Sequence, residues 1–198
     1  MVLILLLSLL TGIYGIGYIG TEKKLRTRFL WIAFNILVAS MILVVTARNV
    51  VLFLLVWESM ALSSFFLVVY DYHKAQVRMA GLMYFVLTHI GTLFVVAFFL
   101  LMAGNGNNLD FSSLAAPTES WKLNLCFLCA LIGFGMKAGL MPLHVWLPEA
   151  HPAAPSHVSA LMSGVMIKMG IFGLYLAMTF LSPISGLWAI TLIVLGSI

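Results

Sequence analysis

Apolar residues in this chain fall in long blocks separated by short polar stretches. A block of about 18 or more apolar residues is long enough to cross about 30 Å of hydrocarbon as a helix. Six blocks qualify: Val2–Gly20, Phe29–Ala47, Val50–Tyr70, Met79–Ala103, Leu123–Leu147 and Ser156–Leu181. The fifth is interrupted by Pro142, and a proline removes a backbone hydrogen bond and breaks a helix locally. The turn-rich link Gly104–Lys122, with Gly-Asn-Gly-Asn-Asn and Ala-Ala-Pro, separates the fourth and fifth blocks. A seventh block, Gly186–Ile198, is apolar but too short to cross, so the sequence reads as a piece of a longer protein. The expected fold is an all-α, polytopic transmembrane helix bundle with a discontinuous helix near Pro142.

Composition removes the soluble alternative. Only 8% of the residues are charged and 63% are hydrophobic, against about 25% charged in an ordinary soluble domain. The net charge of +4 does not point to nucleic acid, because the ten Lys and Arg are few and scattered. They bear instead on orientation. The loops after the first, third and fifth spans share one side and hold Lys23, Lys24, Arg26, Arg28, Lys74 and Arg78, whereas the other side holds Arg48 and Lys122. The first side is therefore expected to be cytoplasmic, with the N-terminus outside. Met1–Gly20 lacks a basic start and a small-residue cleavage site, so it reads as a retained span. Cys126 and Cys129 share a helical face, with no second ligand pair beside them, and read as packing residues. The glycines at 12, 15, 17 and 20, and at 133, 135 and 139, would let helix backbones approach closely.

Three charged residues fit neither a loop nor an interface. Glu58, Lys137 and Lys168 lie roughly 12, 21 and 18 Å from the face where their spans begin, at 1.5 Å per residue. A charge at such depth costs at least ~2.5–3.5 kcal/mol on insertion scales, so each is expected to pair or to face water. Burial disfavours a lysine's charge and a nearby carboxylate favours it, which makes a Lys close to a Glu a switchable proton site. A static Glu58–Lys137 salt bridge that only locks helices is the alternative, and it leaves Lys168 without a partner. Pro142, five residues after Lys137, adds a break of the kind that transporters place at ion sites; an ordinary kink is the plainer reading.

His144, His151 and His157 cluster around the turn after the fifth span and titrate near physiological pH, so a proton relay between cytosol and lysine is open to them. A metal site of His144, Glu149 and His151 matches no compact ligand spacing. His89, in the middle of the fourth span, is open to three roles: haem ligand, proton relay or packing residue. A second histidine at membrane depth, which bis-histidine haem needs, is missing. No metal and no cofactor is expected in the chain.

The stretch from Phe134 to Gly173, FGMKAGLMPLHVWLPEAHPAAPSHVSALMSGVMIKMGIFG, closely resembles the antiporter-like membrane subunits shared by respiratory complex I, multisubunit sodium/proton antiporters and energy-converting hydrogenases. Its wording is nearest the large membrane subunits of hydrogenase-4 and formate hydrogenlyase complexes. Upstream, Leu55-Val-Trp-Glu58-Ser-Met-Ala-Leu-Ser-Ser64 resembles the family's carboxylate-bearing helix. The resemblance implies that the second to sixth spans form the first five-helix repeat of such a subunit. It also implies that Glu58 is the pairing glutamate, Lys137 the broken-helix lysine and Lys168 the central relay lysine. The implied function is proton translocation driven by redox chemistry elsewhere, with no catalytic chemistry in this chain alone. The implied partners are other membrane subunits, a hydrophilic redox arm and the lipid bilayer of a bacterial or archaeal cytoplasmic membrane. A sodium/proton antiporter subunit and an inert truncated scaffold remain alternatives.

Overall fold

A computed structural model describes residues 1–19, 24–104, 108–183 and 185–197, with the side chains of Lys24, Leu25 and Arg26 left out. The expectations that fall on Gly20, on Lys23, on the side chains of Lys24 and Arg26, and on Asn105–Asn107 thus lie outside the described residues.

The described chain is nearly all helical, and its one β feature is an isolated bridge between Asn49 and Asp110. The helices are α1 (Val2–Ile19), α2 (Lys24–Thr46), α3 (Val50–Val68), α4 (Ala75–Ala103), α5 (Ser120–Ala138), α6 (Leu147–Ala153), α7 (Ser156–Leu161), α8 (Ile167–Phe180) and α9 (Gly186–Ser197). A π-helical turn, Met162–Met166, joins α7 to α8. Six of the resulting segments are long and apolar enough to span a membrane, the fifth running from Ser120 through the break to Ala153. The chain is an integral, multi-pass membrane protein.

Local chemistry sets the helix ends. Asn49 caps α3, its side-chain oxygen accepting from the backbone N–H groups of Val51 and Leu52 at 2.9 and 3.5 Å. Its side-chain amide donates to Asp110 at 3.0 Å, which ties the α2–α3 turn to the link between α4 and α5. α5 stops at Ala138 because Gly139 takes the left-handed conformation, φ 73°, that other residues adopt with strain. Leu140 N–H then reaches back to the Gly135 carbonyl at 3.0 Å and Gly139 N–H to that of Met136, the pairing that closes a helix terminus in this motif. The interruption expected at Pro142 thus begins three residues earlier. Pro142 lies in the connecting turn, where it has no N–H to offer to a renewed helix.

Helices α2 to α5 pack in sequence, and α5 also lies against α8. Between them sits a layer of buried rings: Phe53, Trp57, Phe98, Phe99 and Phe134, with Phe134 edge-on to Trp57 at 5.3 Å between centroids. Lipid is as apolar as these rings, so close packing rather than escape from water holds the helices together. The backbones of α4 and α5 cross closely at Gly91 and Gly133, where a Cβ on Gly133 would come within 2.9 Å of the Gly91 carbonyl oxygen. α9 docks on α5 through Trp188, which stacks on Phe127 and donates to Asn124 at 3.0 Å.

Candidate functional site

The ionisable groups at membrane depth fall into two sites along the seam of α3 and α4, and a third position on α8. Glu58 lies about 12 Å into α3 from its first residue, at 1.5 Å per residue. Its carboxylate meets His89 of α4, with Oε2 3.3 Å from Nε2, and the two side chains are 30% and 34% exposed. His89 Nδ1 lies 2.8 Å from the Phe85 carbonyl oxygen one turn back, and the Phe85 ring lies against the imidazole at 4.0 Å between centroids.

Lys137 is elsewhere. It sits in the last turn of α5, about 26 Å from Ser120 by the same rise, and is 3% exposed. Its ammonium donates to the Tyr84 hydroxyl at 3.1 Å and lies 5.5 Å from the centre of that ring. The hydroxyl lies in turn 2.6 Å from Ser64 Oγ on α3, and 3.6 Å from Met166 Sδ in the π turn. Three features support a positive charge here: the phenol oxygen, the ring face and the negative end of the α5 dipole. Trp146, beyond the break, donates through Nε1 to the Met136 carbonyl at 2.7 Å, a second and shorter bond to a group that Gly139 N–H meets at 3.4 Å.

The expected contact between Glu58 and Lys137 is therefore not made; among the described residues no ion pair joins them. Phe134, three residues before Lys137, packs edge-on against Trp57, the residue before Glu58, so the two groups differ in the direction their side chains take rather than greatly in depth. Trp57 rather than Glu58 occupies the seam toward α5, and the next residue on a helix points some 100° away. His89 and Tyr84, five residues apart on α4, serve the two sites separately.

Lys168 is exposed on α8, and its ammonium donates to the Gly164 carbonyl at 2.8 Å, inside the π-helical turn. Such turns recur where a helix is shaped for function. Of the remaining histidines, His151 Nδ1 lies 2.9 Å from Ser159 Oγ, while His151 Nε2, His144 Nδ1 and both ring nitrogens of His157 are buried without a hydrogen-bond partner among the described residues. His157 is enclosed by Tyr18, Trp31 and Phe34, ring centroids 5.8 to 6.2 Å away, and its ring packs where a Cβ on Gly15 would meet it. Beside them a cavity of about 640 Å³ opens between Tyr18, Tyr70, Asp71, Lys74, Glu149 and Pro155. At its rim the Lys74–Asp71 pair, 2.9 Å apart, pushes the Lys74 pKa above its ordinary value, chiefly through the hydrogen bond. At the opposite end of the bundle the hydrogen bond from Lys122 holds the Glu119 carboxyl below its ordinary value.

Tyr84 and Ser64 were not singled out from the sequence. The available signal was polar spacing inside an apolar span: Tyr84, Thr88 and Thr92 recur every four residues on one buried face of α4, opposite Ser63 and Ser64 of α3. Among the described residues, no three His, Cys, Asp or Glu side chains converge as a metal site would need.

A family model described as NADH:quinone oxidoreductase/Mrp antiporter, TM, matches residues 47–198. The chain is 42% identical over 204 residues to hydrogenase-4 component B of Escherichia coli (strain K12), covering 100% of this chain and 30% of that protein. It is 33% identical over 173 residues to a chain 4 of the NAD(P)H-quinone oxidoreductase of Thermosynechococcus vestitus, covering 85% of this chain and 32% of that one. The chain thus spans about a third of the length of these relatives. Among solved structures it is similar to a chain of respiratory complex I from Thermus thermophilus, with a TM-score of 0.70 and 25% identity over 88% of this chain and 39% of the other. A chain of an archaeal membrane-bound sulfane sulfur reductase shares the fold, with a TM-score of 0.82 at 21% identity over 97% of this chain and 39% of that one.

Proposed function

The chain belongs to the NADH:quinone oxidoreductase/Mrp antiporter transmembrane family, and from that premise we propose that it is part of a proton-translocating membrane subunit of a redox-driven complex. One observation carries this reading. Lys137 is almost fully buried where a membrane helix breaks, and its partner is a phenol rather than a carboxylate. A lysine ion-paired to a carboxylate stays charged, whereas one held by a neutral hydroxyl and a helix dipole changes charge state at lower cost. Such a group takes up a proton when negative charge approaches and gives it up when positive charge does.

In this reading Glu58 and His89 hold protons on one side of α4 and Lys137 holds one on the other. Lys168, facing outward from α8, hands protons to the helices beyond this repeat. His144, His151 and His157 connect Lys137 with the cavity between Asp71 and Glu149, on the cytoplasmic side. The helices of this chain pack against other membrane subunits in a bacterial or archaeal cytoplasmic membrane, and redox chemistry in a hydrophilic arm drives the cycle. The relatives' names support this, as does the likeness to a respiratory complex I chain.

The test uses the assembled complex in sealed membrane vesicles. Lys137→Ala and Glu58→Gln should each abolish proton uptake while electron transfer continues at a reduced rate. Undiminished uptake in both variants would defeat the reading, and uptake that requires sodium would assign the subunit to cation exchange instead.

A further inference from the structure

The Glu58–His89 pair contains more information than its distance. His89 Nδ1 lies 2.8 Å from the Phe85 carbonyl oxygen. A carbonyl oxygen only accepts, so the hydrogen in that bond belongs to Nδ1. The tautomer is thereby fixed by the backbone of the helix that carries the ring, as second partners of histidine commonly fix it. Phe85 presses its own ring against the imidazole and keeps it in that plane. A neutral His89 with its hydrogen on Nδ1 presents a bare lone pair at Nε2, and Nε2 lies 3.3 Å from Glu58 Oε2, within ion-pair distance. An ionised Glu58 would then set lone pair against lone pair, with no proton between them, well inside the membrane span.

We propose that Glu58 and His89 form a single proton-holding unit, in which one proton beyond that on Nδ1 is shared between Glu58 Oε2 and His89 Nε2. The unit exists as carboxylic acid with neutral imidazole, or as carboxylate with imidazolium. The two forms have the same atoms and the same net charge of zero, and differ by the passage of one proton across the 3.3 Å gap. Losing that proton leaves a net negative charge at membrane depth and gaining another leaves a net positive one, and both are costly there. The unit therefore releases its proton only when a second positive charge draws near or a base accepts it, and takes it back when that charge leaves. Among the described residues no other ionisable side chain lies within ion-pair distance of either member. On α4 itself, Tyr84 is turned to the other site, and on α5 Lys137 is bonded to Tyr84. The inference deepens the proton-translocation reading and rests on it for its role in transport, while the proton count rests on geometry alone.

The two are tested separately. The full chain, labelled with 15N-histidine and reconstituted in lipid bilayers, is measured by solid-state NMR at neutral pH. His89 should carry hydrogen on Nδ1 and show a proton on, or exchanging with, Nε2. In Glu58→Gln the amide can donate to Nε2, so His89 should become a neutral ring with hydrogen on Nδ1 only. A wild-type His89 that is neutral with its hydrogen on Nε2 overturns the proposal, and that measurement needs no variant to fold. If the His89 spectra of wild type and Glu58→Gln are identical, 13C-glutamate labelling decides: a protonated Glu58 carboxyl is the acid form of the unit, and an ionised one overturns the proposal. In vesicles of the assembled complex, His89→Gln keeps a donor toward Glu58 but cannot hold the extra proton, and should lose most proton uptake; unchanged uptake removes the unit from the pathway. If even the wild-type complex moves no protons, the transport reading fails while the spectrum still decides the shared proton.

Discussion

With its hydroxyl between Lys137 and Ser64, Tyr84 links buried polar side chains of α3, α4 and α5. Tyr84→Phe keeps the ring and removes the oxygen, leaving the Lys137 ammonium without its side-chain partner. The expected loss is about 1–3 kcal/mol, the usual penalty for an unsatisfied buried group. Ser64→Ala should cost less, because Ser64 also bonds the Met60 and Ala61 carbonyls of its own helix and Tyr84 keeps Met166 Sδ within reach. Unfolding of the reconstituted chain, followed by steric trapping, measures both; equal losses, or none for Tyr84→Phe, would deny the hydroxyl this role. The charged half of the site was legible in the sequence because Glu58, Lys137 and Lys168 interrupt apolar runs where a charge is expensive. Their partners were not legible. Counting residues from a span's start gives depth but not the direction in which a side chain points, so a carboxylate and an amine at membrane depth suggested each other. Trp57 occupies the seam that Glu58 would have needed, and the neutral groups Tyr84 and Ser64 leave too faint a trace in hydropathy to compete with a charge.

Among the elements, the broken fifth span positions Lys137, and α8 fixes where it breaks. Gly170 of α8 lies directly on the backbone of the last α5 turn: a Cβ there would fall against Ala138 and within 2.8 Å of the Lys137 carbonyl carbon. These are backbone atoms, which cannot rotate away as a side-chain tip can. Gly170→Ala should therefore push α8 off α5 and destabilise the bundle by about 1–3 kcal/mol, the range for overpacking a well-filled contact. Gly17→Ala in α1, where nothing lies within 4 Å, is the matched control and should leave stability unchanged or slightly raised. A Gly170→Ala protein as stable as the control would mean that the α5–α8 contact is looser than drawn. The break itself was half legible. Pro142 announced a discontinuity, but the stop is made by Gly139, whose left-handed φ and backbone bonds to Gly135 and Met136 need no proline. A glycine in a membrane span is too common to stand out beside a proline. The π turn before Lys168 left no sign, because it changes hydrogen-bond register without changing composition.

At the scale of the molecule, the fold assigns each loop to one of two ends. The Asn49–Asp110 bridge fastens the α2–α3 turn to the α4–α5 link at one end. At the other, Tyr18 from the end of α1, Asp71 and Lys74 from the α3–α4 loop, and Glu149 and Pro155 after the break all line one cavity. The six spans thus run alternately up and down, as the blocks of hydropathy suggest, and the basic residues bear on which end faces the cytoplasm. Lys74 and Arg78 lie at the cavity end and Arg48 and Lys122 at the bridge end, so between these pairs the charge count is even. The asymmetry comes from Lys23, which lies outside the described residues, and from Lys24, Arg26 and Arg28 at the start of α2. Because short basic loops are retained in the cytoplasm, the cavity end is expected there. Single cysteines at Lys74 and Lys122 provide the check, since Cys126 and Cys129 are both buried and should react little. A membrane-impermeant thiol reagent applied outside intact cells should label Lys122→Cys and spare Lys74→Cys until the membrane is opened. Labelling of both from one side would break the alternating arrangement. The reverse pattern would keep the fold but turn the cavity, and the three histidines beside it, toward the outside, so that protons would reach Lys137 from the opposite compartment.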